Sequence, residues 1–138
     1  MRLSDFNQYY ASTMMYYQIM ENNIKLIYSY MLEGNSNNNY EDIENKTLGT
    51  MVRQLEELDY SDNHPYISRG DYAFLKQICD KRNYWAHKAF CDFVYIKNFE
   101  NSREFKEICD LLNRDYNEVK RASTILEKMR IEFCSKYN

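Results

Sequence analysis

The sequence predicts an all-α fold, an antiparallel up-down bundle of four helices. Two observations predict it. Turn formers are scarce, with 3 Gly and 1 Pro in 138 residues, whereas an all-β chain needs a turn signal about every 8–12 residues. Apolar side chains also recur with the helical period over two long stretches. A chain of this length suits one domain, taken as residues 1–138. Its 44% hydrophobic content, with 14 Tyr and 7 Phe, is enough for a core, and each tyrosine can bury its ring while its hydroxyl finds a polar partner.

The first helix opens at Ser4, a capping residue type, and carries Phe6, Tyr10, Thr13, Tyr17, Met20, Ile24, Ile27 and Met31. These positions step by fours and threes, a heptad stripe. Gly34 is placed to terminate it, and residues 35–39, NSNNN, read as a polar loop. A shorter second helix spans about residues 42–59. Leu48, Val52, Leu55 and Leu58 form its buried stripe, and Asp42, Glu44, Glu56, Glu57 and Asp59 its solvated face. Residues 60–67 form a loop in which Pro65 discourages helix at His64. Ser68 with Asp71 resembles a capping box that opens the third helix. That helix is expected over about 69–95, with Tyr72, Leu75, Cys79, Trp85, Ala86 and Phe93. Asn101 with Glu104 gives the next capping signature. Phe105, Ile108, Leu112, Tyr116, Val119, Ala122, Leu126, Met129 and Phe133 then mark a fourth helix ending near Lys136.

Charge and cysteine content bound the function. Net charge is −3, so nothing global announces nucleic-acid binding, although binding follows the field of a local patch. Cys79, Cys91, Cys109 and Cys134 form no CxxC pair. No signal peptide or apolar run of about 18 residues is visible, so a cytoplasmic protein with reduced thiols and no membrane span is expected. No Gly-rich phosphate loop and no GxSxG elbow occurs. His87 and Cys91 make at most half a metal site, and no second pair completes it. The tyrosines of the first helix, Tyr9, Tyr10, Tyr16, Tyr17, Tyr28 and Tyr30, could stack bases but are read as core and dimer surface.

One stretch stands apart. Residues 82–87 read RNYWAH, with Arg82, Asn83 and His87 around the only tryptophan, Trp85. On a helix Asn83 and His87 share a face. Arg82 lies about 140° from His87 around the axis, yet its long side chain can bend toward it. Residues 76–97 carry Lys76, Lys81, Arg82, Lys88 and Lys97 against Asp80 and Asp92. A phosphate-bearing ligand would be drawn to that excess. These residue types suit RNA cleavage. RNA supplies its own nucleophile, the 2′-OH beside each phosphate. Histidine can take or give the proton at neutral pH, and arginine offers a charged planar fork to phosphate oxygens.

RNYWAH resembles the RxxxxH motif of HEPN domains, in the version where Asn follows Arg. HEPN proteins are small helical bundles of about this length, with the motif on the third long helix, where it falls here. The resemblance implies a metal-independent endoribonuclease that needs no cofactor, often a toxin or anti-phage effector held by an antitoxin protein. It implies catalytic roles for Arg82 and His87 and a positioning role for Asn83. Lys76, Lys81 and Lys88 would steer the RNA backbone. The chain departs from the HepT-type branch at Ala89, where that branch carries tyrosine two residues after the histidine, so regulation through that tyrosine does not carry over.

In-line attack at phosphorus needs a base and an acid on opposite sides, and one motif offers one histidine. A two-fold homodimer facing two such helices would supply both. A different class stays open: a non-catalytic helical adaptor that binds a protein or nucleotide partner.

Overall fold

The scarcity of Gly and Pro is realised as long uninterrupted helices. A computed structural model describes residues 1–137, with side chains to residue 135. Five α-helices follow one another: α1 (Leu3–Met31), α2 (Ser36–Ile43), α3 (Leu48–Asp59), α4 (Arg69–His87) and α5 (Arg103–Tyr137). Two short 3-10 turns, Ala89–Asp92 and Phe99–Asn101, lie between α4 and α5. No strand forms among the described residues.

The two heptad stripes pack against each other, and α1 and α5 form the most extensive helix pair. They run in the same direction: Phe6 meets Phe105, Tyr16 meets Tyr116, and Asn23 donates to Glu127. Helix α4 runs opposite to both, with Trp85 against Asp115 and Phe74 against Arg121. In a four-helix up-down chain the first and last helices would oppose each other. Here α2 adds one reversal, so they do not.

Helix α2 corrects the reading of NSNNN as a loop. The asparagines are capping groups. Asn35 accepts from the Asn38 amide at 3.1 Å and starts α2. The Asn39 side-chain amide donates to the Ser29 and Leu32 carbonyls at 3.0 and 3.2 Å, closing the end of α1. Gly34, two residues beyond the α1 cap Leu32, has φ of +106° and turns the chain.

Other boundaries shift for local reasons. Arg2 rather than Ser4 caps α1, because the Asp5 carboxylate accepts from the Arg2 amide at 3.0 Å. Ser68 caps α4 as expected, accepting from the Asp71 amide at 3.1 Å. Ser102, not Asn101, caps α5, accepting from the Phe105 amide at 3.1 Å. On α3, Met51 joins the buried stripe while Leu58 is only partly buried.

Asp59 is not part of a solvated face. It is buried and accepts from the Tyr66 and Ile67 amides at 2.8 and 3.0 Å and from the Tyr72 hydroxyl at 2.8 Å. One carboxylate thus pins the 60–68 loop to α4. Burial, and then the bond to Asp59, push the Tyr72 phenol well above its ordinary value.

All four cysteines are free thiols. Cys79 and Cys109 are buried, and burial pushes the Cys79 thiol up to about 11. No helix of the described residues is long and apolar enough to cross a membrane.

Candidate functional site

Helix α4 ends at His87, well short of the expected boundary near residue 95. The cause is an aromatic cluster around Phe6. Phe90 and Phe93 both reach it, with ring centroids at 5.5 and 5.3 Å, and Phe93 lies 5.0 Å from Phe105. The chain leaves the α-helix at Lys88 and folds into the 3-10 turn, which carries both rings back onto the core.

Trp85 fixes the end of α4. Its side chain is 1% exposed. Its indole N–H donates to Asp115 Oδ2 at 2.8 Å, and its carbonyl accepts from the Tyr10 hydroxyl at 2.9 Å. The last carbonyls of a helix have no partner within it. Tyr10 satisfies one, and the Lys88 amide satisfies another by donating to Tyr84.

With Trp85 inward, residues two positions to either side turn away from the core. Asn83 and His87 are exposed, and Arg82 is half-buried. Arg82 Nη1 donates to Asn83 Oδ1 at 3.4 Å, a long bond that holds the guanidinium on the Asn83 side. His87 has no side-chain hydrogen bond or ion pair among the described residues. It lies in the last turn of α4.

The surrounding lysines differ. Lys76 binds Glu56 at 2.6 Å. Lys81 turns toward α5, paired with Glu118 and 3.6 Å from Asp115. Only Lys88 of the three is exposed with no acidic partner among the described residues. With Lys76 and Lys81 paired to acids outside the stretch, Arg82, Lys88 and Lys97 stand against Asp80 and Asp92, so the positive excess counted along the sequence shrinks to a single charge.

Asp115 and Tyr10 support the site, and sequence reasoning misses both in that role. Asp115 is 2% exposed, and its Oδ1 has no hydrogen-bond donor, only Arg114 and Lys81 at 3.5 and 3.6 Å. A signal is present. Asp115 falls three residues after Leu112 and four before Val119, a core position of the α5 stripe. A buried indole also needs an acceptor. Tyr84 donates to Asp92 at 2.7 Å, tying α4 to the 3-10 turn. Burial, and then Asp92, raise the Tyr84 phenol above its ordinary value.

No three His, Cys, Asp or Glu side chains group as metal ligands among the described residues. The site is a helix end that exposes the Asn83 amide and the His87 imidazole, with the half-buried Arg82 guanidinium bonded to Asn83. It can bind an anion and exchange a proton. No family model, curated protein or solved structure matches the chain.

Proposed function

We propose that this chain is a HEPN-like endoribonuclease that cleaves RNA without a metal ion, acting as a homodimer. In this reading α1, α3, α4 and α5 stand for the four helices of the family's bundle, and the eight-residue α2 is an added helix that leaves α1 and α5 parallel. The observation that carries it is the helix end itself. Asn83 and His87 face outward from a fully buried Trp85, half-buried Arg82 reaches toward Asn83, and none of the three is committed to an acidic partner among the described residues.

The chemistry follows from these groups. Arg82 binds the non-bridging phosphate oxygens and stabilises the charge that builds on phosphorus, a large contribution when the donor is held in place. Asn83 holds the guanidinium through its Oδ1. His87 of one copy takes the proton from the 2′-OH. The 2′-oxygen attacks phosphorus, and the bond to the 5′-oxygen breaks. His87 of the second copy gives its proton to that leaving oxygen. The products are a 2′,3′-cyclic phosphate and a 5′-hydroxyl. Lys88, exposed and without an acidic partner among the described residues, would attract the backbone, whereas Lys76 and Lys81 are tied to α3 and α5 and serve the fold first. The biological role that accompanies the resemblance is growth arrest or phage defence in the cytoplasm, under an antitoxin protein.

The test is the identity of the ends. An RNA oligonucleotide cut by the protein should carry 2′,3′-cyclic phosphate and 5′-hydroxyl termini. A single 2′-deoxy substitution at the cut nucleotide should abolish the cut. Products with 5′-phosphate ends would overturn the mechanism.

A further inference from the structure

Tyr95 is 84% exposed and its neighbour Val94 43%. Among the described residues, the other tyrosines exposed to a large degree rest against a ring: Tyr9 on Tyr116 and Tyr66 on Phe133. Tyr95 has no side-chain partner among the described residues.

The turn that carries it is firmly held. Phe93, two residues before it, is 0% exposed, and lies 5.2 Å from Phe99 on the far side. The Val94 amide donates to the Phe90 carbonyl at 2.9 Å and the Ile96 amide to the Phe93 carbonyl at 3.0 Å. Asn98 closes the turn at φ of 55°, a left-handed conformation that asparagine tolerates. A ring left in water on a rigid turn is pre-organised for a partner.

The charges around it select the partner. Lys88 and Lys97 are exposed and have no ion pair among the described residues. The acids of the segment keep their charge but are turned to other donors: Asp92 accepts from Tyr84, and Glu100 from the Leu3 amide at 3.0 Å, so neither pairs with Lys88 or Lys97. The 3-10 turn Ala89–Asp92, which begins with the Cys91 amide bond to the Lys88 carbonyl at 3.0 Å, joins this turn to the His87 end of α4. Two apolar side chains flanked by lysines are too small for a protein interface of about 800 Å² per partner. They suit one unpaired base, whose face stacks on a tyrosine while lysines meet the phosphates.

We propose that Tyr95 and Val94, with Lys88 and Lys97, form a stacking platform for an unpaired base of single-stranded RNA beside the His87 end of α4. The proposal rests on the reading of Arg82, Asn83 and His87 as an RNA-cleaving site, and it names the substrate class as single-stranded RNA. In a duplex the base faces are covered and the platform has nothing to hold.

The experiment is fluorescence anisotropy in the full-length His87→Ala protein. The probes are a labelled single-stranded RNA, its perfect duplex, and a DNA strand of the same sequence. Both single strands should bind more tightly than the duplex. Tyr95→Ala should weaken strand binding by roughly 5- to 150-fold, and Tyr95→Trp should retain it. Lys97→Ala should lower the slope of log affinity against log salt by about 0.7. Circular dichroism of each variant checks that the fold is kept.

Equal binding by wild-type Tyr95 and Tyr95→Ala overturns the platform, as does equal binding of strand and duplex or no binding of any oligonucleotide. Tyr95-dependent binding of the DNA strand, with no RNA cleavage by the unsubstituted protein, supports the platform and removes the ribonuclease. RNA cleavage with Tyr95-independent binding does the reverse.

Discussion

Trp85 and Asp115 decide how the end of α4 is held. The indole donates to a carboxylate that is itself 2% exposed, across from Lys81. Removing Asp115 leaves a buried donor unpaired. Asp115→Ala should therefore lose about 1–3 kcal/mol of stability. Asp115→Asn keeps an acceptor for the indole and should lose less. Urea denaturation of the two variants checks the order. Equal losses would mean that the indole bond contributes little. The sequence shows Trp85 as buried because it lies within an apolar pattern. It hides the role of Asp115, because an acidic residue in a stripe reads as surface until the tryptophan is placed opposite it.

Among the elements, the long helices are legible and the short ones are not. Phe6 to Met31 and Phe105 to Phe133 announce α1 and α5, since a heptad stripe held over many turns has no other structural use. Helix α2 is not legible. Its asparagines are poor helix formers, and their value lies in capping two helices at once, which depends on where α1 stops. The end of α4 at His87 is equally hidden. It is set by Phe90 and Phe93 reaching Phe6, a contact far away in sequence.

Glu56 joins α3 to α4, bonded to Lys76 at 2.6 Å and to Arg69 at 3.2 Å. The bond from Lys76, and then Arg69, hold its carboxyl below the ordinary value despite some opposing burial. A depressed carboxyl stabilises the fold above its unfolded value, about 4.3. That stabilisation is lost as pH falls through the lower folded value. Glu56→Gln should thus be less stable at pH 7, by about 1 kcal/mol or less because both cations are largely exposed. The difference should shrink as pH falls below the unfolded carboxyl value, and thermal melts across pH would show the two curves converging. A constant gap would assign the loss to packing instead.

At the scale of the molecule, five helices present one polar helix end and one rigid aromatic turn in succession, residues 82–88 and 93–97. The motif is legible as a pattern, since Asn83 and His87 do share the outward side of α4 and Arg82 reaches toward Asn83. The basic excess misleads, because sequence counts charges and not their partners: Lys76 and Lys81 face acids from α3 and α5. A single copy carries one His87, so the proposed chemistry belongs to a pair of chains.

The most direct measurement is cleavage of total cellular RNA and tRNA in EDTA, with wild type beside His87→Ala. His87 is exposed and bonded to nothing else described, so its loss should leave helicity unchanged. Wild type should cleave, and the variant should lose about 100-fold or more of that activity, the scale of a general acid–base group. Equal cleavage by both proteins, or none by either at high concentration, would contradict the ribonuclease reading.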